Sequence, residues 1–312
     1  MFTPKQWMTI VAGGALSALL CALATLGSFG GILLAYFCQL PLFVVLLSMG
    51  TAAGAIAGAI AGAGVLAMGG VFGVLVFILF NAAPVVFLVR QALLFRSDEA
   101  GNTEWYPPGL LAASATCCGL ILLTLVFVWL GLTTEGVEAS IRDYIGRFAE
   151  GMFQDLPLDD RQKVVDGVAP ILLGTVGLSW LVMLVINGTL GQGLATRMGW
   201  NLRPSPDFTM MALPRWLPMV AAALLIFAVA IPGTLGFFAT NAALIAALPF
   251  FLVGLAVVHM AAKRISAGPM LLILFYILML LFGWPVAIVA FLGLIEQMAG
   301  FRQRLARTGE EN

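Results

Sequence analysis

The feature that most constrains this chain is a long stretch without ionisable acids or bases. Between Lys5 and Arg90 there is no Asp, Glu, Lys, Arg or His. A stretch of that length accommodates several apolar segments of about 20 residues, the length that a helix needs to cross a bilayer core. Over the whole chain 62% of residues are hydrophobic and only 10% are charged, whereas soluble domains carry about 25% charged residues. The sequence therefore predicts an all-α polytopic integral membrane protein.

Apolar runs bounded by charged residues or by Gly and Pro predict eight to ten transmembrane helices. We expect an N-terminal membrane half of five helices at 1–131, an extracytoplasmic amphipathic loop at 132–167 and a C-terminal membrane half at 168–312. The last two segments are short enough to form a hairpin that only partly crosses the bilayer. The ten segments lie at 7–27, 30–49, 51–69, 70–95, 108–131, 168–190, 216–232, 238–262, 269–283 and 285–300.

The basic residues predict the orientation of the chain, because loops rich in Lys and Arg stay in the cytoplasm. With the N-terminus inside, four of the 15 basic residues are outside, namely Arg142, Arg147, Arg161 and Lys163. The other 11 are cytoplasmic, so both termini are expected there. These 11 are Lys5, Arg90, Arg96, Arg197, Arg203, Arg215, Lys263, Arg264, Arg302, Arg304 and Arg307.

The loop at 132–167 contains apolar residues at helical spacing, which predicts a helix with one apolar face. The favoured interpretation is a helix that lies on the outer membrane surface, and the alternative is a lid over a cavity open to the outside. The face consists of Val137, Ile141, Tyr144, Ile145, Phe148 and Met152.

Residues 50–64 read GTAAGAIAGAIAGAG, a helix with almost no side chains. In lipid, helices associate through close van der Waals contact, which small residues allow. The stretch is therefore expected to pack closely within the chain, and a docking groove for another protein is the alternative. The glycines four residues apart are Gly50, Gly54, Gly58 and Gly62, and the expected mate is the stripe Gly14, Ala18 and Ala22 of the first segment.

Several kinds of chemistry are disfavoured. Away from their ends, the segments hold no carboxylate, Lys or Arg, which argues against a proton-coupled carrier with an internal carboxylate and against an ion pump. His259 is the only histidine and the four cysteines form no CxxC pair, so no metal site and no cofactor are expected. The formal net charge of zero provides no electrostatic footprint for nucleic acid.

Two motifs resemble functional ones but lack essential parts. Gly177–Trp180 is similar to the serine motif of rhomboid proteases, with Ser179 as nucleophile and His259 as base, yet Trp180 stands where a glycine is expected. Gly188–Gly193 is similar to a phosphate loop, but no strand precedes it and no Lys with Ser or Thr follows. We interpret it as a Gly-rich helix end, and we expect no enzymatic activity.

Uncharged polar groups beside prolines form the candidate binding site. Gln39 precedes Pro41 and Asn81 precedes Pro84, each near the middle of an apolar segment. Proline frees a backbone carbonyl and bends a helix, and interrupted helices often bind substrates in transporters. The alternative is that each amide simply bonds to a neighbouring helix. The candidate residues are Gln39, Asn81, Pro41, Pro84, Thr175 and Ser179.

Several stretches together resemble the YybS-like family of bacterial membrane proteins, a family without known function. The resemblance covers nearly the whole chain and implies a protein of the bacterial inner membrane. The stretches are Leu40–Phe43 followed by the Gly/Ala helix, Trp105–Gly109, Arg203–Asp207, Leu213–Trp216, Leu248–His259 and Gly283–Pro285.

The first four segments also resemble the substrate-binding subunits of energy-coupling-factor vitamin transporters. In those subunits an Ala-x-x-x-Ala stripe on the first helix docks to the energising subunit, and Ala18 and Ala22 match that stripe. The chain departs from this pattern because it has about ten segments where those subunits usually have six.

The expected function is non-enzymatic binding or transport of a small uncharged or weakly polar solute. The alternative is a structural or assembly protein that docks others through its Gly/Ala face. The expected partners are the lipid bilayer and either another membrane protein or a second copy of the chain.

Overall fold

A computed structural model describes residues 2–97, 101–132, 136–208 and 211–300. Of the described residues 81% are helical, and very few lie in strands. Six helical stretches of the described chain are long and apolar enough to cross a membrane, or seven if one bent pair of helices counts as a span. The prediction of an all-α membrane protein with several spans is confirmed at this level.

Thirteen α-helices and one pair of short strands make up most of the described chain. The strands β1 (Phe95–Ser97) and β2 (Thr103–Trp105) pair antiparallel between α5 and α6. The helices are α1 (Pro4–Leu23), α2 (Phe29–Ala35), α3 (Leu40–Met49), α4 (Thr51–Phe77), α5 (Ala83–Ala92), α6 (Pro108–Gly131), α7 (Val137–Met152), α8 (Leu158–Val168), α9 (Leu172–Arg197), α10 (Trp216–Ala230), α11 (Gly233–Ala262), α12 (Gly268–Phe282) and α13 (Pro285–Ala299).

By their contacts these elements form two compact units. The first comprises Met1–Ala115 with Val182–Pro206, and the second comprises Thr116–Leu181 with Asp207–Asn312. The boundaries fall inside α6 and α9, so the units do not follow the linear division at 131 and 167. The structure does not describe residues 133–135 of the predicted loop. Nor does it describe three of the basic residues predicted to be cytoplasmic, Arg302, Arg304 and Arg307.

The Gly/Ala-rich stretch of the first unit reverses direction at Gly70. Gly70 has a φ of +64° inside α4, a conformation that glycine adopts at no steric cost. A Cβ at Gly73 would lie 3.6 Å from Cγ1 of Val65, and one at Gly58 would lie 3.9 Å from Cβ of Ala82. In a continuous helix, residues eight positions apart are about 12 Å apart. The chain therefore folds back where the sequence places the boundary between its third and fourth segments.

Helix α1 packs against α4 at backbone distance. A Cβ at Gly14 would lie 2.5 Å from the carbonyl oxygen of Ala57, and one at Gly64 would lie 2.7 Å from Cβ of Ala18. Both distances are shorter than real Cβ contacts, so only glycine fits at these positions. The contact brings Gly14 and Ala18 of α1 against α4, as the sequence suggests.

The four glycines of the predicted stripe have different environments. Gly50 has a φ of +83° and forms the turn before α4. A Cβ at Gly54 would collide with the buried side chain of Leu46, whereas no described atom lies within 4 Å of a Cβ at Gly62. The closest contacts therefore involve Gly54 and the neighbouring face that meets α1, and the expectation of close contact along the whole stripe is corrected.

In the second unit α11 is the central helix. Gly174 of α9 contacts Asn241 and Gly177 contacts Ile245, so α9 and α11 run parallel there. Helix α6 runs the other way, since Gly119 also contacts Ile245 while Phe127 lies nearer the start of α11, with its ring 5.7 Å from that of Phe237.

Two half-length helices share the length of α11. Helices α10 and α13 have 15 residues each, against 30 in α11. Helix α13 packs on the C-terminal half, because Gly254 and Gly293 leave no room for a Cβ between the two backbones. The backbone nitrogen of Leu213 donates to Oε1 of Gln297 (3.2 Å), and Nε2 of Gln297 donates back to the carbonyl oxygen of Leu213 (2.8 Å). The start of α10 therefore lies beside the end of α13.

These short helices correct the predicted spans of the C-terminal half. A helix of 15 residues measures about 22 Å, less than the hydrocarbon thickness of about 30 Å. Helices α12 and α13 meet at an angle of 119°. The segments predicted at 216–232, 269–283 and 285–300 are therefore not three full-length spans.

Helix α9 continues beyond the segment predicted at 168–190. It ends at Arg197, so Gly188–Gly193 lies inside the helix. The prediction of a Gly-rich helix end is therefore wrong. These glycines allow close packing, since a Cβ at Gly191 would lie 2.7 Å from Cβ of Phe43.

Helices α7 and α8 form a small hairpin on the ends of α6 and α9. Ile141, Ile145, Val165 and Ala169 form its core, against which Leu130, Leu172 and Leu173 pack. Half of the predicted apolar face thus packs within the protein. The other half, Tyr144, Phe148 and Met152, is exposed.

Candidate functional site

A polar site in the first unit forms where two helices are interrupted. Four residues, Tyr36 to Gln39, form turns between α2 and α3, and Ile78–Ala82 forms a π-helical turn before α5. Proline in the first turn of each following helix explains the breaks, because it has no N–H for a helical hydrogen bond. Pro84 stands four residues after Phe80, so the carbonyl of Phe80 loses its usual helical donor.

Gln39 supplies the missing donor. Its Nε2 donates to the carbonyl oxygen of Phe80 (3.2 Å) and to Oδ1 of Asn81 (3.3 Å). Sγ of Cys38 donates to the same Oδ1 (3.1 Å), and Oγ of Ser17 donates to the carbonyl oxygen of Cys38 (2.7 Å). Gln39 is completely buried at 0% exposure, so the two interruptions are joined by buried uncharged groups.

Asn187 of α9 joins the same turn from a third direction. Its Nδ2 donates to the carbonyl oxygen of Tyr36 (2.8 Å) and to that of Met183 in its own helix (2.7 Å). Asn187 is also 0% exposed. Ser17, Cys38, Gln39, Asn81 and Asn187 are hereafter called the amide cluster.

Two oxygens of the amide cluster have no hydrogen-bond partner among the described residues. They are Oε1 of Gln39 and Oδ1 of Asn187, both buried; outside the cluster, Oγ of Ser48 is in the same state. The amide orientations follow from chemistry, because each amide nitrogen faces carbonyl oxygens, and a flipped amide would set oxygen against oxygen. An unsatisfied buried polar group costs about 1–3 kcal/mol, so two such oxygens at one turn need an explanation.

A buried amide in the second unit is fully bonded by contrast. Oδ1 of Asn241 accepts from the backbone nitrogen of Gly174 (2.6 Å), and its Nδ2 donates to the carbonyl oxygens of Pro170 and Phe237 (2.9 and 2.8 Å). Asn241 thus ties α11 to the start of α9, and neither its oxygen nor its nitrogen is left without a partner. The unused oxygens of Gln39 and Asn187 are therefore not a general property of buried amides in this protein.

The structure brings together part of the predicted site. Gln39 and Asn81 contact each other, and Pro41 and Pro84 lie in the first turns of the helices that follow the two interruptions. Thr175 and Ser179 belong to the second unit, and Oγ1 of Thr175 donates to the carbonyl oxygen of Ile171 in its own helix. Their participation in a common pocket stays a prediction.

Sequence reasoning missed three members of the amide cluster and one buried acid. Ser17 has no proline or charge nearby to mark it, Cys38 precedes Pro41 but carries no amide, and Asn187 precedes the glycines that we interpret as a helix end from the sequence. Glu296 lies near the end of the last predicted segment, yet it is only 3% exposed in α13. Helix α13 therefore buries a carboxylate that the sequence places near the end of a segment.

Ser179 and His259 do not form a catalytic pair. Next to Ser179, Gly177 contacts Ile245, and His259 lies 14 residues further along α11, about 21 Å away along the axis. The ring of His259 instead contacts Tyr276, with Nε2 3.3 Å from the hydroxyl oxygen. No group of three or more His, Cys, Asp or Glu residues that could hold a metal ion occurs in the described ranges.

At the other end of α5, Arg203 holds several chain ends together. Its Nη1 donates to the carbonyl oxygen of Ala92 (2.7 Å), and its guanidinium lies 5.7 Å from the ring centre of Trp105. Nε2 of Gln192 donates to the carbonyl oxygen of Arg203 (3.0 Å). Burial lowers the pKa of Arg203 below its ordinary value. These contacts connect α5, α9 and the strand hairpin.

A cavity of about 390 Å³ lies at the strand hairpin, lined by residues 94–96, 104–107 and 110. Its polar wall is an exposed ion pair, in which Nη2 of Arg96 lies 2.6 Å from Oε2 of Glu104. Each charge already has its partner, and exposed pairs of this kind contribute at most about 1 kcal/mol. The hairpin cavity therefore provides no uncompensated charge for a ligand.

Comparison with protein-family models, with curated proteins and with solved structures finds no significant match to this chain. The resemblances to YybS-like proteins and to vitamin-transporter subunits therefore stay predictions. The amide cluster is the feature of the described residues that bears most directly on function.

Proposed function

We propose that this protein is a non-enzymatic, multi-pass protein of the bacterial inner membrane that binds or moves a small uncharged or weakly polar solute at the amide cluster. The observation that carries the proposal is the pair of fully buried amides, Gln39 and Asn187, whose nitrogens hold two interrupted segments while their oxygens stay unused. Interrupted helices with convergent polar groups are where transporters often bind substrates.

In this proposal the N-terminus and the C-terminus are cytoplasmic, as the distribution of basic residues suggests. The two arms on either side of Gly70 count as separate spans, α10 counts as the return between the parallel helices α9 and α11, and the bent pair of α12 and α13 counts as a re-entrant segment, which gives eight crossings. The resemblance to YybS-like proteins supports the inner membrane as the location.

Extraction of bound small molecules tests the function. The wild-type chain, purified in a mild detergent, is expected to release a small molecule that mass spectrometry detects, and Gln39→Ala with Asn81→Ala is expected to lose it. Asn241→Ala removes a buried amide of the second unit and serves as the control, so it should retain the molecule. Equal recovery from all three proteins, or none from the wild type, would contradict the proposal.

The alternative function, docking of another protein through the Gly/Ala face, has less support. The tightest positions of this face contact other parts of the same chain, since Gly14 meets Ala57 and Gly54 meets Leu46. Gly62, which has free space around its Cβ, is buried. A partner or a second copy of the chain would have to bind elsewhere.

A further inference from the structure

The polar atoms left over in the amide cluster indicate what kind of solute it takes. We propose that the solute is neutral and presents two hydrogen-bond donors, one to Oε1 of Gln39 and one to Oδ1 of Asn187. This inference rests on the proposed function and specifies its substrate class, namely small molecules with N–H or O–H groups and no formal charge.

The donors of the two buried amides are already used. Nε2 of Gln39 bonds to Phe80 and Asn81, and Nδ2 of Asn187 bonds to Tyr36 and Met183. Both unused atoms are carbonyl oxygens, which accept hydrogen bonds and donate none. A solute that brings only acceptors would leave these oxygens unpaired, whereas one with two donors satisfies both.

The segments that form the amide cluster carry no charge, which favours a neutral solute. Between Lys5 and Arg90 the sequence has no Asp, Glu, Lys, Arg or His, and none occurs in the part of α9 from Val182 to Thr196. A charged solute would lose its hydration and find no counter-charge, which is strongly unfavourable in an apolar environment. A neutral molecule with N–H or O–H groups avoids this loss.

Cys38 provides a reporter inside the cluster. Its thiol donates to Oδ1 of Asn81 and is buried, so a bound solute should slow its chemical modification. In a chain with Cys21→Ala, Cys117→Ala and Cys118→Ala, Cys38 is the only cysteine left. The rate of its reaction with methyl methanethiosulfonate, a small uncharged thiol reagent, then reports occupancy of the site.

Three ring compounds of similar shape separate donors from charge. 2-Imidazolidinone is neutral with two N–H donors, 1,3-dimethyl-2-imidazolidinone is neutral without donors, and 2-amino-2-imidazolinium has donors and a positive charge. We expect only the first to protect Cys38, with a rate about tenfold lower at roughly nine times its dissociation constant. Asn187→Ala should abolish the protection, and Asn241→Ala should preserve it even if that protein is less stable.

Each other result overturns the inference in a distinguishable way. Equal protection by the dimethyl compound would refute the donor requirement, and equal protection by the cation would refute neutrality; both would leave the proposed binding function standing. Protection by none of the three, as expected if the two oxygens bind water alone, would refute the solute class. The extraction experiment then decides separately whether the protein binds any solute. The comparison of the three compounds needs no amide variant, so it does not depend on how Asn187→Ala folds.

Discussion

Pro84 and Gln39 act together although 45 positions separate them in the sequence. Pro84 removes the helical donor from the carbonyl of Phe80, and Nε2 of Gln39 replaces it. The proline thus does more than bend a helix, because it creates the acceptor that fixes the amide of Gln39. With the nitrogen fixed, the oxygen of Gln39 is left for another partner.

Replacing Pro84 tests this relation. Pro84→Ala restores a backbone N–H that can bond to the carbonyl of Phe80, so Gln39 loses an acceptor and its amide is free to reorient. We expect weaker recovery of the bound solute with a midpoint of thermal unfolding that is unchanged or higher, because proline is unfavourable within helical structure by up to about 3 kcal/mol. Pro285→Ala, at the start of α13, is the control. Undiminished solute recovery with Pro84→Ala would contradict the relation.

The two buried asparagines provide a matched comparison of a structural amide and a binding amide. Asn241→Leu removes three hydrogen bonds, two of which tie α11 to Gly174 and Pro170 at the start of α9. Asn187→Leu removes two but also removes an unpaired oxygen, a gain of about 1–3 kcal/mol. We expect the larger fall in the melting temperature of the detergent-purified protein for Asn241→Leu. An equal or larger fall for Asn187→Leu would mean that Asn187 is structural too.

Part of the site could be predicted at the residue scale, and the reason is physical. An amide next to a proline in an otherwise apolar segment stands out, which identifies Gln39 and Asn81. Asn187 has no such neighbour, and its role depends on reaching Tyr36 more than 150 positions away, which no local pattern encodes. Hydropathy does not predict the burial of Glu296. The residue lies near the end of an apolar segment, but that end packs against other helices and so buries the carboxylate.

At the scale of elements, the spacing of small residues predicted that α1 and α4 would pack together, but not which glycines would be essential. After the turn at Gly70, the chain packs back against the first part of α4. The face of α4 that it leaves uncovered is the one that α1 contacts. Gly14 belongs to the stripe predicted on α1, whereas Gly64 makes a contact with Ala18 that the four-residue period of Gly50, Gly54, Gly58 and Gly62 does not identify. The glycine spacing predicts that other helices can approach α4 closely, but only the folded structure shows which face of α4 they contact.

Single alanine substitutions distinguish the tight positions from the open ones. At Gly14 an added Cβ meets the backbone of Ala57, so Gly14→Ala should destabilise the protein by about 1–3 kcal/mol through overpacking. At Gly62 nothing opposes the Cβ, so Gly62→Ala should be neutral or stabilising by up to about 1 kcal/mol through helix propensity. Thermal unfolding of the two purified variants checks this. A Gly14→Ala protein as stable as the wild type would refute close packing of α1 on α4.

At the scale of the whole molecule, the parallel course of α9 and α11 constrains the topology. Gly174 and Gly177 match Asn241 and Ile245 in the same direction, so the chain between α9 and α11 has to return to the side from which α9 starts. Among the described residues between these two helices, α10 is the helix that can make this return. It is only half as long as α11. Hydropathy predicts an apolar segment at 216–232, but it does not indicate that the resulting helix extends along only half of α11.

The orientation of the spans is the last testable consequence of the sequence, and it determines where the amide cluster lies in the membrane. If the N-terminus is cytoplasmic and four spans precede the strand hairpin, Ser97 faces the cytoplasm and Asp159 in α8 faces outward. Both residues are exposed, so Ser97→Cys and Asp159→Cys, each in a chain whose four native cysteines are alanine, should fold normally. A membrane-impermeant maleimide added to intact cells should label Cys at position 159, and Cys at position 97 only after the membrane is permeabilised. Labelling of both in intact cells would mean that the two sites lie on the same side of the membrane, separated by an even number of crossings instead of the single crossing expected for α6. The breaks at Gln39 and Asn81 would then lie at different depths from those expected, and the amide cluster would no longer be near the middle of the bilayer.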